Sequence, residues 1–486
     1  MEWIRFGIAK FMKDQTDDDF YAIVDADNVA TTFYKEQDLI KFQKIWYYRD
    51  YVNSKINNKK IDIEYLKNFE QKYAINLWQV AYSERAFLKY NSYHNFSHIE
   101  ILSILENECK LFEKILNEIN PDYLIIKLTD THQSHLLHQI CKSKKIKILM
   151  MGPTRFAYHF TIHQEYDNLG NFTNNTCSRN SSLVELQDYL NSFYTLDQTK
   201  EFASNLKISF RKKITKYINH IIKMGNSKYH TSYVDRGRTK IKLISQFLFI
   251  KRWYRKKFID KNFQKFINKN DKFVYYPLQS EPERTLLLGA PFYTNQLVLI
   301  ERLAKSLPID MKLYVKEHGA MAIIGWREIS FYKKIFQLPN VVLLHPDVNY
   351  IKLMKSCSIL ATIRGTSGIE ATFYDKPTII FADVSFHELP SVYRVTNMND
   401  LPKIIKKISD SKVDVSMLNK YVEHVEKNSF VLNLLELYTD LHNSFFDEFN
   451  YLNGHIKPEK MNSFLEKHNS KFKRLSLEHI KKIKKI

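Results

Sequence analysis

The chain has 486 residues, 44% hydrophobic and 26% charged, with 73 Lys and Arg against 53 Asp and Glu, a formal net charge of +20. Its length admits two or three domains with substantial cores, and the balance of apolar and charged residues excludes a disordered chain. The excess of positive charge favours an anionic partner, whether nucleic acid, lipid head groups or an anionic small substrate, and does not choose among them.

Residues 20–24 read as a first strand ending at Asp25-Ala26-Asp27. A carboxylate at the C-terminal end of a parallel strand stands where open α/β sheets bind ligands, which makes Asp25 a candidate; a plain turn is the competing reading. Residues 36–118 carry apolar side chains at three- and four-residue steps and read as helices. A clear unit follows, with a strand at 123–128, a loop at 129–133, a helix at 135–143 and a strand at 146–151 closed by Gly152-Pro153. Asp130 and His132 lie just past the first of these strands and can serve there as base or nucleophile, or equally cap the next helix. Residues 165–200 read as a loop and a helix. Residues 206–266 read as strongly basic helices, with Phe210, Ile214, Tyr217, Ile218, Ile221 and Ile222 on one stripe and Trp253 and Tyr254 among Lys and Arg. Such helices either lie on an anionic membrane surface or form a solvated linker packing one face.

From residue 272 strands and helices alternate. Strands are expected at 273–279, 312–315, 341–344, 358–363 and 378–381, with helices at 297–306, 328–337 and 349–356 and one starting at Gly368. Five strands in this order predict a Rossmann-like domain. Between the last two strands, Arg364-Gly365-Thr366-Ser367-Gly368 forms a turn. Its glycines permit conformations a side chain would forbid, and Thr366 or Ser367 is expected to cap the helix, whose first N–H groups suit a phosphate. Beyond residue 412 the pattern is helical. At the end Phe472, Leu475, Ile480, Ile483 and Ile486 share a face opposite six Lys, which favours a membrane contact over a frayed tail. The division expected is an N-terminal Rossmann-like domain at 1–200, a basic helical linker or membrane-contacting insert at 201–270, a second Rossmann-like domain at 271–412, and C-terminal helices with a basic tail at 413–486.

The four cysteines, Cys109, Cys141, Cys177 and Cys357, form no CxxC pair, so no zinc or redox site is indicated and a reducing compartment is expected. Residues 1–15 lack the apolar core of a signal peptide, and no stretch reaches the ~18 uncharged apolar residues of a membrane span. A cytoplasmic protein is expected, peripheral on the inner membrane face if the basic helices bind lipid.

Three ligand-capable segments fall at strand ends of one sheet, 279–283, 316–318 and 364–370. Lys316, His318 and Arg364 supply positive charge for phosphate, Thr366, Ser367 and the Gly368 amide supply neutral donors, and Glu370 can accept from two ribose hydroxyls. These residues, in this order, resemble the capsule polysaccharide biosynthesis family, which includes bacterial β-Kdo transferases of capsule synthesis. The similarity is strong over 272–397 and weak over 121–156. Gln279, Pro282 and Glu283 match the family's Gln-Pro-Glu segment, Lys316, Glu317 and His318 its Lys-Glu-His-Pro motif, and Thr366, Ser367, Gly368 and Glu370 its Thr-x-Gly-x-Glu segment. Gly319 stands where the family has Pro, and Asp375 where it has Gly.

The resemblance implies an α/β, GT-B-like glycosyltransferase, with two Rossmann-like domains facing across a cleft. A nucleotide sugar, CMP-Kdo among the donors, would bind the C-terminal domain, and a glycan or lipid-linked acceptor the N-terminal one. It implies no bound metal or other cofactor. Asp130, then Asp25, would act as base or nucleophile. The alternative is an inactive protein of the same shape that serves as a scaffold in polysaccharide assembly. A nucleic-acid partner is not expected, because no nucleic-acid motif accompanies the basic residues.

Overall fold

The computed structural model describes residues 2–25, 28–53, 61–88, 94–194, 238–281, 283–445 and 456–485. Asp27, the basic stripe at 210–222, Pro282 and Ile486 lie outside the described residues.

The C-terminal half is built on a six-stranded sheet of β6 (Lys272–Pro277), β7 (Met311–Lys316), β8 (Val341–Leu344), β9 (Ile359–Thr362), β10 (Thr378–Ile380) and β11 (Val392–Arg394). The order is β11-β10-β9-β6-β7-β8, and every pair is parallel. The central strands read as unbroken apolar runs because both faces are covered. Along β6, Val274 and Tyr276 enter one core with Leu313, Val315 and Ile359, while Phe273 and Tyr275 enter the opposite core with Tyr314 and Leu360. The strand order reverses between β9 and β6, and ligands of such sheets bind beyond the strand ends at that point. The sequence pattern placed five of these strands; β11, three residues long at the sheet edge, was not legible.

The N-terminal half has two sheets. β1 (Tyr21–Val24) pairs parallel with β2 (Lys44–Tyr47). β3 (Tyr123–Lys127) pairs parallel with β4 (Lys147–Pro153), and the helix His132–Ser143 connects them as expected. β5 (His159–His163) and β12 (Phe430–Val431) extend this sheet antiparallel, in the order β12-β5-β4-β3. Alternate residues of β4 serve two cores. Ile148 and Met150 face the core of the helices Ile63–Tyr73, Leu77–Tyr82 and His98–Ile119, while Leu149 and Met151 face that of the chain's first and last helices. The helix His98–Ile119 opens with a capping box from Ser97 and Glu100 and closes on Asn120 in the left-handed region.

One expectation is corrected here. The pattern favours a membrane contact over a frayed tail for the apolar face of the last helix, Asn469–Lys485. Phe472 and Leu475 are instead buried against the first helix, Trp3–Lys13, with Phe472 stacked on Phe11 at 5.8 Å. Burying these residues inside the protein leaves lysines, Arg474 and Leu477 toward solvent. The chain also crosses between its halves. Phe156, Leu169, Phe172, Leu186 and Leu190 pack with Tyr421 and Val422 against Ile369 and Phe373 of the helix Ser367–Phe373 and Ile380 of β10. Residues on both sides of 200 and of 412 thus share one core. Among the described residues, no helix is long and apolar enough to cross a membrane.

Candidate functional site

The end of β6 passes directly into the first candidate segment. The backbone N–H of Leu278 donates to the Lys316 carbonyl, which holds the ends of β6 and β7 together. Gln279 then turns its amide toward β9, donating to Thr362 Oγ1 at 2.9 Å, and the same hydroxyl accepts from the Gly365 N–H at 3.0 Å. Gly365 is required here by space. A Cβ would come within 2.7 Å of both Gln279 Nε2 and Thr362 Oγ1. Its φ, like that of Gly368, is not positive, so the expected conformational reason for these glycines is replaced by close approach.

Arg327 ties the second segment to the first. Its Nε donates to Glu317 Oε2 at 3.0 Å, one terminal nitrogen donates to the Gln279 carbonyl at 2.5 Å, and the other pairs with Glu281. Glu317 also accepts from Tyr332 Oη at 2.6 Å and from the His318 N–H at 2.8 Å. Glu317 is fully buried and its carboxylate is occupied, so its expected role as a ligand is corrected: it anchors Arg327. Burial opposes the charge of Arg327, but Glu317 and Glu281 outweigh it and raise its pKa. The three segments do converge, linked from Gly365 through Gln279 and Arg327 to Glu317. Arg327 itself was missed, in a stretch with no strand-end signal.

Four groups remain at the edge above this frame. Lys316 is 9% exposed, and among the described residues its ammonium has no ion pair or hydrogen bond. Burial lowers its pKa, only partly offset by the charges of Glu317 and Asp347. His318 is exposed, with Nδ1 accepting from the Ala320 N–H at 3.2 Å. Thr366 is exposed and Ser367 half-buried. The helix starts at Ser367, and Thr366 makes no side-chain cap, so neither hydroxyl performs the expected capping. Glu370 lies half-buried on the first turn, where its charge adds to burial in raising the pKa of Tyr350 and Tyr374. Glu283 is exposed and precedes the short helix Arg284–Leu287. Asp375 takes φ +59°, the left-handed value a glycine would adopt without cost, and its carboxylate accepts from the Val413 N–H.

Arg364 departs from expectation. It does not point along the sheet edge but across to the N-terminal half, where its NH2 donates to Asp167 Oδ2 at 3.1 Å. Arg155 Nε donates to the same oxygen at 2.6 Å, and one of its terminal nitrogens donates to the Arg364 carbonyl. Arg284 donates to the carbonyl of Thr129 at 2.9 Å and to its Oγ1. Sequence reasoning missed Arg155, Asp167 and Arg284. Arg155 alone had a signal, since it follows the end of β4 by two residues.

The N-terminal candidates separate. His132 is fully buried, with Nδ1 2.5 Å from Glu84 Oε2 and Nε2 2.7 Å from Glu108 Oε1, and Tyr48 Oη donates to Glu108. Burial disfavours its charge, but the two carboxylates dominate and raise its pKa to about 10. The expectation that His132 faces a cleft is corrected, because both ring nitrogens are held in an ionic core. Asp130 is half-buried, with Oδ1 2.8 Å from Lys127 Nζ. Asp25 is half-buried and accepts from Arg49 Nε at 2.7 Å and Gln133 Nε2 at 2.9 Å. Burial would raise the pKa of Asp25, but Arg49 and these hydrogen bonds hold it below the usual carboxylate value.

No curated protein matches the chain. Among solved structures it is similar to the β-Kdo 2,7 transferase of Thermosulfurimonas dismutans KpsC, at 9% identity and a TM-score of 0.31, covering 80% of this chain and 90% of that one. The β-Kdo 2,4 transferase of the same protein gives 11% identity and a TM-score of 0.30 over 57% and 73%. A UDP complex of S. aureus MnaA gives 12% and 0.26 over 90% and 94%. At these identities and TM-scores, the likeness assigns neither donor nor acceptor. The model of the capsule polysaccharide biosynthesis protein family matches residues 178–390, and over that segment the resemblance read from the motifs to this family is shown.

Proposed function

We propose that this protein is a glycosyltransferase of bacterial surface polysaccharide synthesis that takes a nucleotide sugar at the C-terminal edge of the six-stranded sheet. The observation that carries this reading is the convergence of Lys316, His318, Thr366 and Ser367 around the point where the strand order reverses. An unpaired, largely buried ammonium is costly unless an anion meets it, and a nucleotide phosphate is such an anion. In the reaction the bond between the sugar's anomeric carbon and the phosphate oxygen breaks, and one to an acceptor oxygen forms. Lys316 and His318 offset the charge left on the phosphate, with no metal or other cofactor in the proposal. Glu370 accepts from ribose hydroxyls. Asp130 is the proposed base, or the nucleophile if configuration is retained, with Asp25 behind it. The family match supports the glycan context, and CMP-Kdo is the first donor to test.

The helix Arg238–Asn262 supports a peripheral site on the cytoplasmic membrane face. Leu243, Phe247, Ile250 and Tyr254 form an exposed stripe on it, with Trp253 alongside and Lys251, Arg252 and Arg255–Lys257 interspersed. A second reading, an inactive scaffold of the same assembly, is favoured by one observation: Asp130 and Asp25 are both engaged with cations.

The deciding experiment is thermal stability with CMP, CMP-Kdo, UDP, GDP and dTDP at fixed salt, with and without a chelator, followed by assay of donor turnover. A ligand that binds only the folded protein raises its melting temperature. Stabilisation by CMP alone points to a Kdo-type donor, and by UDP or GDP to another sugar. Binding without turnover selects the scaffold. A shift abolished by the chelator overturns the metal-free proposal, and no shift with any nucleotide removes the whole reading.

A further inference from the structure

The seam between the two halves holds more positive charge than its structural bonds use. Arg155 reaches it from the turn after β4, Arg284 from the segment after β6, and Arg364 from the turn after β9. Their guanidinium carbons stand 5.4, 4.0 and 5.8 Å from the centre of the Tyr166 ring. Among the described residues, the one carboxylate bonded to any of them is Asp167, and both of its bonds use the same oxygen, Oδ2. Arg155 is 6% exposed and Arg364 7%. The buried Nε of Arg364 has no partner. Gly289 leaves room for its outer nitrogen, since a Cβ there would come within 1.8 Å of Arg364 NH1. Arg155 and Asp167 both take positive φ, +66° and +61°, a conformation that non-glycine residues adopt at a cost.

Two buried arginines and a half-buried third against one carboxylate is an arrangement that folding alone does not favour. Taking a charge out of water costs several kcal/mol, of order, when it lacks a counter-charge. Arg284 bears the consequence, with its pKa lowered to about 10 by burial and its arginine neighbours, although Tyr166 and Asp167 act in the opposite direction. His135 nearby carries an unpartnered Nδ1 and is held neutral, its pKa lowered to about 3 by burial and the Arg284 charge. Asp383 contributes only from a distance, being exposed and paired with Arg394.

We propose that Arg155, Arg284 and Arg364 form an oxyanion subsite across the seam, which holds an anionic acid group of the substrate and draws the two halves together on it. The shared chemistry is a set of oxygens matched by planar guanidinium forks, supplied by a diphosphate or by the carboxylate of an acidic sugar. Arg364 adjoins Thr366 and Ser367, so the subsite is continuous with the edge where the nucleotide sugar is proposed to bind. The inference rests on that reading only for the identity of the substrate.

The test uses the full chain, with pyrophosphate and malonate as probes of the two sources and chloride at equal ionic strength as control. Wild-type protein should be stabilised by pyrophosphate, malonate or both, and not by chloride. Arg284→Gln should raise the melting temperature without anion, because it relieves repulsion, and weaken the responsive anion at least tenfold. A response to pyrophosphate alone assigns the subsite to phosphate, and a response to malonate assigns it to carboxylate. If neither exceeds chloride, or if R284Q melts lower and keeps the full response, the arginines are a structural latch and the proposal falls. Should R284Q not fold, R284K retains the charge without the fork and should weaken the anion at unchanged melting temperature; an undiminished response overturns the subsite. Stabilisation by pyrophosphate but by no nucleotide keeps the subsite and removes the nucleotide-sugar reading. Equal affinity for the intact nucleotide sugar in wild type and R284Q does the reverse.

Discussion

Two buried ionic clusters in this protein look alike as residue types and differ in their accounts. Around His132, one imidazolium lies between Glu84 and Glu108, and Tyr48 donates to the second of these. Around Arg364, three guanidinium groups surround the Tyr166 ring, and two of them, Arg155 and Arg364, share a single oxygen of Asp167 while Arg284 bonds only Thr129 among the described residues. The first cluster is closed around its imidazolium, both of whose ring nitrogens are met inside the fold, although Glu108 Oε2 has no partner among the described residues. The second is open, with charge left over at a junction. A third, Glu317–Arg327–Glu281, is closed like the first but lies directly under the candidate site. The difference teaches that a histidine or a motif glutamate signals function only if its bonding capacity is unspent.

Closed clusters should fail by unfolding and open groups by losing ligand. The largest expected effect is Arg327→Ala, which strands Glu317 and Glu281 and should cost about 3–5 kcal/mol in urea unfolding. A loss below about 1 kcal/mol, within the range of ordinary surface substitutions, would mean that the cluster is not closed.

His132→Ala comes next, at about 3 kcal/mol or somewhat less where water enters the site. Its effect should depend on pH. The pKa of His132 is raised in the folded state from 6.5 to about 10, so its stabilisation is fully present below pH 6.5 and lost as the pH rises toward 10. Glu84 is lowered from 4.5 to about 2 by His132 against the effect of burial, so its contribution is present above pH 4.5 and lost as the pH falls toward 2. The gap in melting temperature between wild type and H132A should therefore narrow from pH 6.5 to 10. A gap constant across that range, with lost turnover, would restore the catalytic reading of His132.

Lys316→Met should behave oppositely to R327A. Burial lowers the pKa of Lys316, so its charge opposes folding, and the variant should be as stable as wild type or more so. It should nevertheless weaken the binding nucleotide by roughly 10–100-fold, the worth of a charge-assisted hydrogen bond. Retained affinity in K316M would move the phosphate away from β7.

The smallest effect on stability is expected for Trp253→Ser with Tyr254→Ser. Both side chains are exposed, and the change should stay within about 0.5 kcal/mol. Binding to vesicles containing anionic lipid should fall clearly. Unchanged vesicle binding would leave the exposed stripe without a membrane role.

The C-terminal sheet was legible because its signals are local. Apolar runs such as residues 359–363 can be buried on both faces only as strands of a covered sheet, and the ligand-capable residues sit one or two positions after each run. The order of the motifs carried the family resemblance for the same reason. The short strands β2, β5, β11 and β12 were not legible, since two to five residues carry too little periodicity to stand out.

By itself, then, the sequence determined the α/β class, the parallel sheet of residues 272–380 and which segments meet at its edge. Only the tertiary structure decided how the candidate groups are used. It spent Glu317 on Arg327 and His132 on two carboxylates, left Lys316 unpaired, turned Arg364 toward Asp167, and folded the apolar face of the last helix onto the first. The physical reason is that hydrogen-bonding capacity and charge are settled by neighbours distant in the chain. Glu108 and His132 are separated by 24 positions, Asp167 and Arg364 by 197, and no local pattern records such pairings.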